Sequence, residues 1–346
     1  LYLWSNYGGT AAGTSYVSNA SCAALVSCVV TVGSTANAAI ATNGGLADVE
    51  TGIGGGAFTL GVGSKTGSIN TGTGVLTVHA TGISEAAGAN TITAGAATLD
   101  AGAGAMALGN AGNNFSGAVS LSNSGANDIV LNNGTHALNL AASTLGSGAL
   151  TISATGISQS GAITQAASAA GATFNAGAGV ISLGNSGNDF TGPVSLNNSG
   201  ANAVTLNNGT HALDLATSAL GSGALTVSAA GISQSGMITQ AALAGAATFN
   251  AGTNAISLTD AGNAFTGAVS LAGSNVSLVN STATLLGATT ATGTLDVGSN
   301  GALSQSGALT VTGAATFTQN STTAGAAQDV NLGSQNNSFQ GGVTFA

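Results

Sequence analysis

The chain has 346 residues, of which only 3% are charged, and its formal net charge is −9. It contains 56 glycines, one proline and one lysine, and no arginine. The composition argues against nucleic acid as a partner, because phosphate binding needs clustered Lys and Arg. It excludes a polybasic membrane anchor for the same reason. No apolar stretch approaches the roughly 18 residues that a membrane-spanning helix needs.

Residues 1–57 match nothing else in the chain, and we interpret them as a divergent N-terminal segment or as cap-like coils. They contain both cysteines, Cys22 and Cys28. In a secreted protein these two residues are expected to form one small disulfide loop. The alternative is a pair of small buried apolar side chains. Two thiols without further Cys or a nearby His do not make a zinc site.

From residue 58 onward a phrase of the form Phe-x-Gly returns at a nearly fixed distance. Its phenylalanines are Phe115, Phe190, Phe265 and Phe339. Their period is about 75 residues, and self-similarity at a fixed period indicates a repeat architecture. The predicted solenoid region is 58–346, and its units are about 58–114, 115–189, 190–264 and 265–338, with the start of another at 339.

Within each unit, short runs alternate apolar and polar residues, which is the pattern of half-buried strands. Val119, Leu138 and Ile157 are evenly spaced, and turns such as 132–134 are rich in Asn and Gly. The spacing predicts an all-β parallel β-helix (β-solenoid) with about 19 residues per coil and four coils per 75-residue repeat. The rival fold, a string of β-sandwiches, needs a thicker core than these repeats supply. We expect the core markers to be Phe115, Phe190, Phe265, Phe339, Phe174 and Phe249.

With the exception of one pair of histidines, the residues that could carry chemistry do not follow the repeat. His136 and His211 are equivalent, but four coils would place them about 19 Å apart, too far to share a metal ion. His79 has no counterpart, since serines align with it. The aspartates align with asparagines in other copies, which a turn tolerates and a general acid does not. These aspartates are Asp100, Asp189, Asp214 and Asp260. We therefore predict no catalytic, cofactor-binding or metal site, and a protein that is not an enzyme.

The coil length and two phrases, residues 188–196 and 148–157, resemble the repeats of filamentous-haemagglutinin-like exoproteins and autotransporter passengers. The resemblance covers roughly 58–346. It implies a right-handed parallel β-helix, secretion across the outer membrane of a Gram-negative bacterium, and an extracellular or cell-surface location. It also implies a role in adhesion or biofilm.

These observations favour a secreted structural or adhesive filament that assembles into extracellular matrix and contacts a surface glycan or a host receptor. Very low charge lets rods associate with each other, laterally or end to end, because little repulsion opposes contact. An alternative is a glycan- or ice-binding module that uses flat ladders of Ser, Thr and Asn. That alternative predicts a regular Thr row over several successive coils. A polysaccharide-degrading enzyme is less favoured, because it requires acids clustered in one groove.

Overall fold

The computed structural model describes residues 2–4, 30–33, 37–42, 44–51, 55–319 and 329–346. The predicted disulfide between Cys22 and Cys28 lies outside these residues. The described part of the chain is all β-strand without a helix, and it contains no helix long and apolar enough to cross a membrane. The chain divides into two compact units, residues 1–170 and 171–346, which are treated one at a time.

The described residues of the first unit form nineteen strands. They are β1 (Tyr2–Trp4), β2 (Val30–Val32), β3 (Ala38–Ala41), β4 (Ala47–Glu50), β5 (Phe58–Leu60), β6 (Gly67–Asn70), β7 (Leu76–His79), β8 (Ile83–Glu85), β9 (Thr91–Ala94), β10 (Ala97–Asp100), β11 (Met106–Leu108), β12 (Asn114–Phe115), β13 (Ala118–Ser122), β14 (Ile129–Asn132), β15 (Leu138–Leu140), β16 (Ser143–Leu145), β17 (Ala149–Ser153), β18 (Ile157–Gln159) and β19 (Ile163–Gln165).

In the first unit each strand pairs in parallel with the equivalent strand of the next coil. Sheet A contains β1, β4, β7, β10, β13, β15, β16, β18 and β19. Sheet B contains β2, β5, β8, β11, β14 and β17. Sheet C contains β3, β6, β9 and β12. The coils from β2 to β13 therefore have three strands each, one in every sheet. Residues 30–50, which the repeat pattern does not cover, form the first of these coils.

The second unit contains β20 (Gly171–Asn175), β21 (Ile181–Leu183), β22 (Val194–Asn197), β23 (Val204–Asn207), β24 (Leu213–Leu215), β25 (Ser218–Leu220), β26 (Leu225–Ser228), β27 (Ile232–Gln234), β28 (Ile238–Gln240), β29 (Ala247–Asn250), β30 (Ile256–Leu258), β31 (Val269–Gly273), β32 (Val276–Asn280), β33 (Thr284–Ala291), β34 (Leu295–Ser299), β35 (Leu303–Gln305), β36 (Leu309–Val311), β37 (Ala315–Gln319), β38 (Val330–Asn331), β39 (Ser338–Phe339) and β40 (Val343–Phe345).

Two parallel sheets build the second unit. Sheet D contains β21, β23, β26, β29, β31, β33, β35, β36, β38 and β39. Sheet E contains β20, β22, β24, β25, β27, β28, β30, β32, β34, β37 and β40. The chain alternates between the two sheets, in some passages with two consecutive strands in one sheet, such as β24 and β25. Its fold is therefore a parallel β-solenoid, as the sequence predicted.

Side chains alternate between the core and the surface along each strand, because successive residues of a strand point to opposite faces. In β26, Leu225 and Val227 are buried, whereas Thr226 is exposed. Register stacks the buried residues into columns, and one column of sheet D contains Leu206, Val227, Phe249 and Leu271. The outward face carries small polar residues where parallel sheets of α/β proteins carry apolar ones under helices.

The coils are not uniform, and the repeat does not contain four of them. The coil that brings Ile256 onto Val276 is shorter than the coil that brings Ile232 onto Ile256. Val194 and Val269 are equivalent residues of successive repeats, yet they lie in sheets E and D respectively. We call one passage of the chain through a single sheet a half-coil. From Val194 to the residue before β31 the chain makes seven half-coils, namely β22, β23, β24 with β25, β26, β27 with β28, β29, and β30. Each repeat of the second unit is thus three and a half coils, and its mean coil is about 21 residues long.

The prediction of four coils failed because apolar residues of both sheets look alike in the sequence. Leu138 does pair with Ile157, as the even spacing predicted. Val119, however, pairs with Leu140 rather than with Leu138. Corner loops differ in length, so the register changes from coil to coil. A single fixed period therefore does not identify the residues that pair across neighbouring strands.

Candidate functional site

The Phe-x-Gly phrase marks the core of the solenoid. Phe115, Phe190 and Phe265 are fully buried, as are Phe174 and Phe249. In the second unit these rings meet edge to face, with centroids 5.7 Å apart in both the Phe174–Phe190 and the Phe249–Phe265 pairs. Edge-to-face contact is a favoured geometry for aromatic pairs. Phe339 is half-buried and contacts Phe317 at 6.1 Å.

A buried asparagine from further along the chain holds the backbone of Phe115, of Phe190 and of Phe265. The Phe190 N–H donates to Asn208 Oδ1 at 2.7 Å, and Asn208 Nδ2 donates to the Phe190 carbonyl at 3.2 Å. The same amide group donates to the Ala212 carbonyl at 2.7 Å. Asn133 makes the equivalent pair of hydrogen bonds with Phe115, and Asn280 makes it with Phe265. We call Asn133, Asn208 and Asn280 the corner asparagines.

The glycine of the phrase is required by close approach. A Cβ atom on Gly117, Gly267 or Gly341 would lie closer than 3.0 Å to the backbone of the preceding coil. The turn glycine Gly209, which follows Asn208, has a φ of 60°, a conformation that favours glycine. The retained residues of the repeat therefore act on the backbone and on the core.

The equivalent histidines have different neighbours. His211 Nδ1 lies 3.5 Å from Asp189 Oδ1. In the other copy Asn114 occupies the position of Asp189. There His136 Nδ1 lies 3.3 Å from the Asn133 carbonyl oxygen. Over the described ranges, no group of three His, Cys, Asp or Glu side chains is arranged to hold a metal ion.

Two of the aspartates share a turn role with asparagine. Asp260 Oδ1 accepts the N–H of Gly262 at 2.8 Å, as Asn185 Oδ1 accepts that of Gly187 at 2.8 Å. Asp100 Oδ1 accepts the N–H of Gly102 at 2.9 Å in the same way. This side-chain-to-backbone bond two residues on is the Asx-turn, which either residue forms. Asp214 differs, because its Oδ1 is buried without a hydrogen-bond partner.

Sheet A brings together an ionisable cluster that the sequence pattern did not reveal. Glu50, His79 and Asp100 stand in one register column of β4, β7 and β10. His79 Nε2 lies 3.8 Å from Glu50 Oε1, and His79 Nδ1 lies 3.5 Å from Asp100 Oδ2. Burial raises the pKa of Glu50, His79 opposes that rise, and the charges of Asp48 and Asp100 add to it. We call Glu50, His79 and Asp100 the acid–histidine column. It lies on an open sheet face where these side chains are about two-fifths exposed.

Glu85 at the end of β8 is a second group that sequence reasoning missed. Its Oε1 accepts hydrogen bonds from the Asn110 N–H and from Asn113 Nδ2, both at 2.8 Å. Burial raises the pKa of Glu85, and the hydrogen bonds from Asn110 and Asn113 lower it by less. The available signal was alignment of Glu85 with glutamine in every later copy, at Gln159, Gln234 and Gln305.

The outward face of sheet D carries a continuous row of hydroxyls. Its members pair in register across five successive strands, and they are Ser182, Thr205, Thr226, Thr248 and Ser270. We call them the hydroxyl row. No strand of sheet D in the described part of the chain contains a charged residue. The row is therefore flat, neutral and half-exposed or exposed.

Parallel coils, corner asparagines and a core of stacked apolar columns define a β-solenoid repeat protein. The chain belongs to the family described as "Repeats of unknown function (DUF5649)". That family model matches four successive segments, residues 17–122, 126–197, 201–272 and 273–346. Neither the curated proteins nor the solved structures include a match to this chain.

Proposed function

We propose that this solenoid is the structural segment of a secreted bacterial surface filament or stalk, which serves adhesion, biofilm or extracellular matrix assembly. The observation that carries the proposal is the kind of residue that the repeats keep. Phe190, Gly209 and Asn208 serve the core and the corners, whereas the ionisable side chains change between copies, with the exception of the pair His136 and His211. A protein selected for length and rigidity keeps scaffold residues in this way, because each coil is stabilised mainly by its neighbours.

The proposed partner is a second copy of the same filament, in lateral or end-to-end contact, together with a surface glycan or a receptor on a host cell. Support comes from the charge content of 3% and from the uncharged strands of sheet D. Little electrostatic repulsion opposes contact between such faces.

Electron microscopy of the native material tests the filament proposal. We expect long fibres that associate into bundles at the cell surface and that proteases remove from intact cells. Isolated short rods, or protein that proteases reach only after lysis, would contradict it.

The hydroxyl row supports a second candidate, a face that binds glycan or ice. Side chains in one column repeat every ~4.8 Å, so the row offers a regular array of hydroxyls to an ordered surface. The test uses the triple variant Thr205→Lys, Thr226→Lys, Thr248→Lys in sedimentation with insoluble polysaccharides and in ice-growth assays. The matched control places lysines on sheet E at Ser257, Ser277 and Thr316. Loss of binding in the first variant alone supports the candidate, and equal behaviour of both variants rejects it.

We propose further that the chain is not an enzyme. Glu50 and Asp100 are two strands apart, about 9.6 Å by strand spacing, which is at the upper limit of the separation of a carboxylate pair that hydrolyses glycosides. His79 stands between them and faces both carboxylates. Incubation with polysaccharides followed by analysis of soluble sugars tests this, and release that Glu50→Gln abolishes would overturn it.

A further inference from the structure

Glu85 occupies a position that glutamine occupies in the later repeats. It ends the tripeptide Ile-Ser-Glu on β8, where β27 ends in Ile-Ser-Gln and β35 in Leu-Ser-Gln. The three strands precede the same kind of corner, in which an asparagine from further along the chain returns to the side chain. The repeats thus supply an internal comparison between a carboxyl and an amide at equivalent strand ends, although the corner after Glu85 is three residues longer than the corner after Gln234, counted to the N–H that the returning asparagine accepts.

The glutamine copies show that this environment requires both an acceptor and a donor. Gln234 Oε1 accepts from Asn263 Nδ2 at 2.8 Å. Gln234 Nε2 donates to Asn263 Oδ1 at 2.9 Å and to the Gly236 carbonyl at 2.8 Å. Gln305 repeats the arrangement with Asn337 and with the Gly307 carbonyl, at 2.8 to 2.9 Å.

Glu85 reproduces the acceptor half of that arrangement and lacks the donor half. Its Oε1 takes the place of the glutamine oxygen, because it accepts from Asn113 Nδ2. Its Oε2, at the place of the donating nitrogen, is buried without a hydrogen-bond partner. A carboxylate has no hydrogen to donate, and a buried charge or polar atom without a partner is costly. A protonated carboxyl carries an O–H donor and resembles glutamine.

We propose that the surroundings of Glu85 favour the neutral carboxylic acid, and that ionisation of Glu85 loosens the contact between the corner that follows β8 and the corner that follows β11. In the neutral form the Oε2 hydroxyl serves as the donor that Nε2 supplies in Gln234 and Gln305. In the ionised form the corner holds a negative charge whose Oε2 is buried without a hydrogen-bond donor. Glu85 then acts as a pH-sensitive joint in a solenoid whose other corners of this type are insensitive to pH.

The surroundings of Glu85 contain no charge that would stabilise its anion. Its register partner on β5 is Leu60, and β11 contributes only Met106, Ala107 and Leu108. The groups that contact the carboxyl from the following corner are the backbone and side-chain amides of Asn110 and Asn113. Lys65, the one lysine of the chain, lies between β5 and β6 and is exposed. Burial is the largest effect on this carboxyl and raises its pKa.

The direction of the pH effect follows from linkage. A carboxyl whose folded pKa is raised binds its proton more tightly in the folded chain than in the unfolded chain. Its contribution to stability is complete below the ordinary value of 4.5 and is lost as pH rises through the folded pKa. The wild-type chain is therefore expected to lose stability with rising pH over that window.

The experiment measures urea unfolding of the full chain from about pH 4 to about pH 8, a range that brackets carboxyl titration. In Glu85→Gln, the part of the decline in stability with rising pH that Glu85 causes should be absent. The Asn110 amide should also be protected from hydrogen exchange at high pH in this variant. Glu50→Gln is the comparison variant. Burial also raises the pKa of Glu50, so this variant should remove only the decline that Glu50 causes and should keep the decline that Glu85 causes. The reverse variant, Gln234→Glu, should create a new decline with pH.

Two outcomes would overturn the proposal. One is a Glu85→Gln variant whose pH dependence equals that of the wild type. The other is a carbon NMR titration of wild-type Glu85 that gives its ordinary pKa, a readout that does not depend on any variant folding. A titration midpoint above the ordinary value, together with a flattened profile in Glu85→Gln, supports it.

Discussion

At the scale of single residues, the corner asparagine is the most informative side chain of this solenoid. Strand pairing stops at a corner, and buried backbone groups there still need partners. Asn208 provides a donor and an acceptor on one short side chain, and it therefore satisfies both the N–H and the carbonyl of Phe190. Substitution should consequently cost more than the loss of one surface hydrogen bond.

We expect Asn208→Ala to lower the free energy of unfolding by about 2–4 kcal/mol, because it leaves several buried backbone groups without partners. Chemical denaturation of the full chain measures this. Thr226→Ala, on the exposed face of the neighbouring sheet, is the control and should change stability by less than about 0.5 kcal/mol. Equal effects of the two substitutions would refute the role of the asparagine.

Leu243 is a strained residue whose replacement should stabilise the protein. Its φ is 57° and its side chain is 94% exposed, so left-handed backbone strain is not offset by burial. Such a conformation costs a non-glycine residue about 1–2 kcal/mol, and glycine loses part of that gain through unfolded-state entropy. Leu243→Gly should therefore raise stability by about 0.5–1 kcal/mol, measured as a higher Tm. Ala242→Gly next to it should give no gain, and destabilisation by Leu243→Gly would contradict the argument.

At the scale of elements, the acid–histidine column shows what strand register adds to the sequence. The stretch of chain from Glu50 to His79 is longer than that from His79 to Asp100, yet register places the three side chains side by side. Because the two coils differ in length, no single period aligns these residues. Alternation and turn glycines sufficed to predict parallel strands and buried phenylalanines. Cross-strand columns were out of reach because loop lengths set the register.

His79→Ser tests the column with a residue found at the equivalent positions Ser153 and Ser228. His79 holds down the pKa of Glu50, whose burial raises it. Removal of the histidine should therefore shift the Glu50 titration to higher pH, as followed by carbon NMR. His136→Ser should leave that titration unchanged. A Glu50 titration that moves to lower pH in His79→Ser would show that the column does not act as described.

At the scale of the whole molecule, stability accumulates coil by coil, since each coil pairs with the one before and the one after. The repeat length is then a number of half-coils rather than the size of an independent domain. Because successive repeats are equivalent in sequence, the chain from residue 265 onward can take the place of the chain from residue 190 onward when residues 190–264 are removed.

We expect a chain without residues 190–264 to remain folded, because β31 then pairs where β22 pairs in the intact protein. Circular dichroism should show the same β signature, with a cooperative melt within several degrees of the full chain. Removal of 190–249, which is not a whole repeat, is the control and should abolish cooperative melting or cause aggregation. Similar melts for both deletions would argue against the register described for the second unit.

The odd number of half-coils per repeat has an evolutionary consequence. In the second unit, equivalent residues of successive copies lie in opposite sheets, so that a residue of sheet E has its counterpart in sheet D. A surface residue acquired before duplication therefore lies on one sheet in one copy and on the other sheet in the next copy. It returns to the original sheet only in the copy after that. Duplication of single repeats therefore gives the two sheets of such a chain the same surface residues. Duplication of pairs of repeats would keep the surfaces of the two sheets different.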